Sequence, residues 1–162
     1  MKGLSNKEIK MISYLELEEK RFFIKRDIKI FFKNQNEINV YIHRLMQKER
    51  IIKINRSKYY LVPIQAFEGK WAEHPFIIID EIFNGKDYYI GGKSAAHYWG
   101  IIDQIPGEID VYSTKKQGKK ELFGIKICFK RIRKKNMLDS IKRKIKEHDF
   151  IIATKSVSKK WI

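Results

Sequence analysis

Between residues 34 and 62 the hydrophobic period changes from about 3.6 to 2 over a few residues, and that switch limits what the neighbouring chain can build. From Ile38, apolar side chains recur at Ile38, Ile42 and Leu45, with Tyr41 and Met46 beside them, which predicts an amphipathic helix over 35–48. The opposite stripe carries Asn36, Asn39, Val40, His43 and Gln47. After Glu49 and Arg50 the alternation puts Ile52 and Ile54 on one face of a strand. Asn55-Arg56-Ser57 reads as a turn, Tyr59 to Val62 as the returning strand, and Pro63 ends it. A polar-faced helix followed directly by a hairpin with a basic tip is the arrangement of a winged helix-turn-helix, whose helix enters the major groove. Amides pair with adenine and a small apolar side chain meets a thymine methyl, so Asn36, Asn39, Val40, His43 and Gln47 are the base-reading candidates. Lys25, Arg26, Lys33, Arg44, Arg56, Ser57 and Lys58 flank them and are the candidates for phosphate. A solvated helix face has the same composition. The order of helix, turn and basic hairpin is what favours the nucleic-acid reading.

The residues upstream complete such a module. Ser5 with Glu8 forms a capping box that opens a helix over 6–19, with Ile9, Ile12 and Leu15 facing inward. Phe22-Phe23-Ile24 is short enough to be a strand. A second helix is expected over 26–33 with Ile28, Phe31 and Phe32 buried, and the turn Asn34-Gln35-Asn36 caps the third helix. Residues 1–63 are thus read as a winged-helix domain, and 64–74, with Phe67 and Trp71, as a packed linker.

Downstream, Pro75 starts an almost wholly apolar helix over 76–83 that Asn84-Gly85 stops. A strand at 88–90, a turn at Gly91-Gly92, a short helix over 94–99 and a turn at Ile105-Pro106-Gly107 follow. Strands are expected at 109–113 and 121–132, joined by a lysine-rich loop over 114–120. A basic helix over 137–147 and a strand at 150–153 end the pattern. The fold class expected is α+β, an N-terminal winged helix-turn-helix followed by a small mixed α/β domain over 75–162.

Charge separates these regions. Residues 1–65 hold 15 Lys/Arg against 7 Asp/Glu, residues 66–112 hold 3 against 8, and residues 113–162 hold 17 against 4, within a net charge of +16. An anionic partner fits that excess. Lys115, Lys116, Lys119, Lys120, Lys130, Arg131 and Arg133 form a possible second DNA surface, with ion pairing on a strand-rich surface as the alternative. Cys128 is the single cysteine, which excludes an internal disulfide and a cysteine-based zinc site. No apolar run is long enough for a bilayer and no signal-peptide pattern is present, so a cytoplasmic protein with no membrane partner is the expectation.

The succession Arg44-Leu45, Arg56-x-Lys58-Tyr59-Tyr60-Leu61-Val62-Pro63, Tyr88-Tyr89-Ile90-Gly91-Gly92-Lys93-Ser94-Ala95-Ala96-x-x-Trp99-Gly100-Ile101, Gln104-Ile105-Pro106 and Val111-Tyr112-Ser113-Thr114-Lys115-Lys116 resembles the AbiEi family of antitoxins and transcriptional regulators. The resemblance covers residues 5 to 157. It implies an N-terminal winged helix that binds double-stranded DNA, a C-terminal α/β domain, and repression of the protein's own operon. The resemblance also implies a functional pairing with a nucleotidyltransferase toxin encoded nearby, in a type IV toxin-antitoxin system. Members usually continue past the strand matched by Phe150 to Ala153 into a helical region associated with antitoxin activity. The sequence ends at Ile162, so a regulator is expected ahead of an antitoxin.

Two other function classes use different residues. Gly91, Gly92 and Ser94 followed by Glu108 and Asp110 match the glycine pair and twin carboxylates of a metal-dependent nucleotidyltransferase. A third carboxylate is needed on a later strand, where 125–133 offers only basic and apolar side chains. Glu121 is the one candidate, at that strand's start. A nuclease reading lacks a Glu-x-Lys after Glu108-Ile109-Asp110. His43, His74, His97 and His148 are scattered, so no catalytic residue, metal or cofactor is expected. The remaining class is an interaction module, with Trp71, Phe76 and Trp99 as anchors or core, and a second copy on paired half-sites.

Overall fold

The computed structural model describes residues 3–63 and 73–162, a mixed α and β architecture with two sheets. The chain divides into two compact units, Met1–Trp71 and Ala72–Ile162. Most of the linker expected at 64–74, including Phe67 and Trp71, lies outside the described residues.

In the first unit, α1 (Asn6–Leu17) starts at the capping box read from the sequence: the Glu8 N–H donates to Ser5 Oγ at 3.3 Å, and the Ser5 N–H to Glu8 Oε2 at 2.6 Å. Met11, Ile12 and Leu15 are buried. Ile9, expected inward, is 47% exposed, because Met11 takes the core-facing position on that side of the helix. The helix ends before residue 19, where Glu19 enters the left-handed region at φ 53°. The strand β1 (Phe22–Ile24) leads into a 3-10 helix, Lys25–Phe31, where an α-helix over 26–33 was expected. Asp27 closes its first turn by accepting the Ile24 N–H at 2.8 Å, and Phe32 is already extended at φ −130°. So short a segment keeps only Ile28 fully buried, with Phe31 and Phe32 packed at the edge of the core.

Helix α2 (Gln35–Gln47) buries Ile38, Ile42 and Leu45, as its period predicts. Strands β2 (Ile51–Lys53) and β3 (Lys58–Leu61) close the unit in a three-stranded antiparallel sheet of order β1-β3-β2. Strand β2 is only three residues long, and its side turned to the core carries Ile51 and not Ile52. Ile51, opposite Leu61, points to the core, Ile52 is half-buried opposite Tyr60, and Ile54 is buried beyond the strand's end.

In the second unit, α3 (Pro75–Phe83) buries Phe76, Ile77, Ile78, Ile79, Ile82 and Phe83, and ends where Asn84 turns left-handed at φ 54°. Strand β4 (Tyr88–Gly91) runs into α4 (Gly92–Tyr98), followed by β5 (Ile109–Ser113), β6 (Gly118–Leu122), β7 (Ile125–Arg131), β8 (Ser140–Ile145), β9 (His148–Ala153) and the short α5 (Lys155–Ser158). The sheet order is β6-β7-β5-β4-β9-β8, with β5 parallel to β7 and β4 parallel to β9. Helix α3 packs on β9 and α4 on β5.

Two segments differ from the sequence reading. The loop expected at 114–120 contributes half of a hairpin: β6 pairs with β7 through the two-residue turn Phe123-Gly124, at φ 55° and 75°, so the single strand expected over 121–132 is broken there. The basic helix expected over 137–147 is instead the edge strand β8. It pairs with β9 from Ser140↔Ala153 to Ile145↔His148 through Lys146-Glu147, at φ 48° and 62°. The open edge of β9 provides a hydrogen-bonding partner that outweighs local helix preference, and a lysine-rich strand is what a sheet edge tolerates.

Candidate nucleic-acid interface

Asn34 caps α2 by accepting the Glu37 N–H at 2.9 Å, which sets where the helix begins and so which side chains share a face. With Ile38, Ile42 and Leu45 turned inward, Asn36, Asn39, Val40, His43 and Gln47 all lie exposed on the other side. Asn39 is the best-held of them. Its Oδ1 accepts from Lys25 Nζ at 2.7 Å and from Gln35 Nε2 at 3.3 Å. Lys25, expected to meet phosphate, is therefore tied to a base-reading candidate. Gln35, expected in the turn, is the first residue of α2 and belongs to the same face. Its spacing of four residues from Asn39 on a helix was the available signal.

Around this face, Arg26, Lys33, Arg44, Arg56 and Ser57 are exposed, whereas Lys58 is half-buried. Lys33 uses its backbone N–H to hold Glu37 Oε2 at 2.8 Å, which leaves its ammonium outward, and the Arg44 guanidinium lies 5.5 Å from the Tyr41 ring centre. At the hairpin tip, Asn55 Oδ1 accepts the N–H groups of Ser57 at 3.0 Å and Lys58 at 2.9 Å, an Asx turn that presents Arg56.

The orientation of α2 is held from behind. Glu8 is buried at 1% exposure and accepts two bonds from Lys48, at 2.7 and 2.9 Å, just past the end of α2. Burial pushes the Glu8 carboxyl up, but the bonds from Lys48 and Ser5 outweigh it and hold the group below its ordinary value. Lys7 pairs with Glu37 and lies over the Phe32 and Tyr41 rings, a second tie between α1 and α2.

The second proposed DNA surface is partly neutralised. Lys115 pairs with Asp87 at 2.6 Å, Lys119 with Glu108 at 2.8 Å and Lys130 with Asp110 at 2.9 Å, so acids of the 66–112 segment face bases of the last segment. Lys116 lies 5.8 Å from the Phe129 ring centre, and Lys120 is exposed on β6. Arg131 and Arg133 are exposed and, with Thr114 and Gln117, line a groove of about 600 Å³.

The glycine-carboxylate set does converge. Gly92, Glu108 and Asp110 line one cleft of about 850 Å³. At Gly92, with φ +60°, a Cβ would stand 2.1 Å from Asp110 Oδ2, so only glycine fits. Ser94 Oγ donates to the Glu108 carbonyl at 3.2 Å. The third neighbour of the two acids is Cys128, opposite Asp110 on β7, and not Glu121, which pairs in register with Lys126 on the outer hairpin. His97 and His74 line another cavity of about 580 Å³, and His148 Nε2 sits 3.1 Å from Asp80 Oδ2. Of the possible interface anchors, Phe76 is buried in the core, and the half-buried Trp99 donates to the Ala153 carbonyl at 2.8 Å.

Among the described residues no helix is long and apolar enough to cross a membrane. No protein-family model and no curated protein matches the sequence. Among solved structures, the fold is similar to that of the RV2827C protein from Mycobacterium tuberculosis, with a TM-score of 0.57 and 13% identity over 83% of this chain. The likeness covers 48% of that protein, so the sequence spans about half its length, and at this identity the similarity is one of fold alone.

Proposed function

We propose that the first unit is a winged helix-turn-helix and that the protein is a sequence-specific regulator of transcription acting on double-stranded DNA, an autorepressor of the kind the AbiEi resemblance implies. One observation carries this reading: Asn36, Asn39, Val40, His43 and Gln47 share the solvent face of α2, and a hairpin presenting Arg56 and Ser57 follows that helix directly. Helix α2 reads base edges in the major groove, while Arg26, Lys33, Arg44 and the hairpin tip set register on phosphates. In this reading a second copy occupies a paired half-site. A nucleotidyltransferase toxin encoded nearby is a functional partner, and the protein works in the cytoplasm without a cofactor.

The test is fluorescence anisotropy on the protein's own upstream DNA and on a scrambled duplex, each at two salt concentrations. Cognate binding tighter by about a thousandfold or more supports the regulator. Equal, steeply salt-dependent binding to both duplexes sinks it, because charge alone would then account for the affinity.

A metal-dependent nucleotidyltransferase is the second reading, favoured by the convergence of Gly92, Glu108 and Asp110 on one cleft. It ranks lower because each acid already faces a lysine ammonium, Lys119 or Lys130, and β7 presents Lys126, Cys128 and Lys130 where a third carboxylate is needed.

A further inference from the structure

We propose that the cleft lined by Gly92, Lys93, Lys126 and Trp161 binds a nucleotide without a metal ion, the base against Trp161 and the phosphates against the two lysines. This site lies in the second unit and goes beyond the DNA-binding reading. Its volume of about 850 Å³ suits a ligand of that size. Trp161 is a fixed platform: its ring stacks on Tyr112 with centres 5.8 Å apart, and Tyr112 stacks on the buried Tyr89 at 5.1 Å and 6°. A ring held this way loses little freedom when a base stacks on it, and any base has the face required.

Electrostatics then separates phosphate from metal. Glu108, Asp110 and Cys128 place ligand atoms within 4.8 Å of one another, an arrangement a divalent cation can use. Both carboxylates are already countered, Glu108 by Lys119 at 2.8 Å and Asp110 by Lys130 at 2.9 Å, so an entering cation must displace two ammonium groups. Lys93 and Lys126 line the same cleft as Glu108 and Asp110; after Lys119, Lys126 helps to hold the Glu108 carboxyl below its ordinary value, and neither Lys93 nor Lys126 forms an ion pair among the described residues. The charge left for a ligand is positive, which fits phosphate oxygens.

A free nucleotide and the end of a single nucleic-acid strand carry this chemistry alike. The experiment titrates ATP in EDTA into the full chain and follows tryptophan emission, with adenosine, inorganic triphosphate and a short single strand as competitors. The expected result is saturable quenching, absent in Trp161→Ala, with Kd raised about tenfold or more in Lys93→Ala/Lys126→Ala. Adenosine and triphosphate should each compete less well than ATP. Displacement by the short strand at lower concentration than ATP would identify a strand end as the source, and weaker displacement a free nucleotide; both support the site. Lys93→Glu, a change on the cleft wall, provides a second variant should Trp161→Ala fail to fold. Absence of saturable binding, binding that requires magnesium, or unchanged affinity in folded lysine variants would overturn the proposal. His43→Ala should bind ATP as the parent does, which keeps this outcome separate from the DNA reading.

Discussion

Asn39 Oδ1 accepts from both Lys25 and Gln35, so under the proposed base reading a bidentate pair with adenine puts the adenine amino group in place of one of those donors. Alanine at Asn39 or His43 is expected to cost about 1–3 kcal/mol on the cognate duplex while leaving random DNA unaffected. Alanine at Arg56 should weaken all duplexes alike and reduce the salt slope by about one. Anisotropy titrations distinguish the two patterns, and equal losses on both duplexes from all three changes would remove the division into readers and anchors. Behind the face, Lys48→Ala leaves the Glu8 carboxylate buried without its counter-ion, and about 3–5 kcal/mol of stability should disappear in urea unfolding. Glu8 was legible as a cap because that geometry is local. Its burial against Lys48, 40 residues away, was not. His74 supplies a pH prediction. Its Nδ1 caps α3 by accepting the Phe76 N–H at 3.2 Å, which requires a neutral ring. Burial lowers the His74 value, Lys146 lowers it further and Glu73 opposes them, so the net shift is downward. Below about pH 6.5 the unfolded chain therefore takes up the proton first. The contribution is complete above that pH and is lost as pH falls through the folded value. Thermal unfolding followed from pH 8 to 5 should show the loss, and His74→Ser, which caps without titrating, should flatten it.

At the scale of elements, α2 and α3 could be read in full because each carries its own boundary signals. Asn34 and Pro75 mark the starts, Asn84 marks an end, and the apolar spacing identifies the buried side. Leu45, fully buried on α2, is where that packing is concentrated. Leu45→Ala should destabilise the first unit by about 2–5 kcal/mol, measured by chemical denaturation, and weaken DNA binding in step with the unfolded fraction. The turn into α4 depends on a single residue. Gly92→Ala places a Cβ against the Asp110 carboxylate at φ +60°, so strain and a displaced Asp110–Lys130 pair should lower the thermal midpoint of the second unit. Strand β8 was the element misread as helix. Met137, Ile141 and Ile145 recur every four residues, a spacing that a helix also uses, while the exposed edge of a sheet makes no demand for alternating burial.

Taken whole, the molecule neutralises part of its charge internally. Lys115, Lys119 and Lys130 are occupied by Asp87, Glu108 and Asp110, whereas Arg131 and Arg133 are exposed. If the second unit touches DNA, Arg131→Ala/Arg133→Ala should lower the salt slope by about two, and Lys115→Ala should change it by much less. Equal slopes for the arginine pair and the parent would assign all DNA contact to the first unit. Composition alone showed an acidic middle and a basic end, which is a statement about totals. The α+β class, the caps and the buried helices were determined by the sequence itself, because hydrophobic period, turn residues and caps act over a few neighbouring positions. The tertiary structure decided which strand covers the edge of β9, which face of β2 meets the core, which lysines are already paired, and that Trp161 joins Gly92 and Lys126 at one cleft. Each of those depends on partners tens of residues apart, whose meeting is set by sheet order and not by any local pattern.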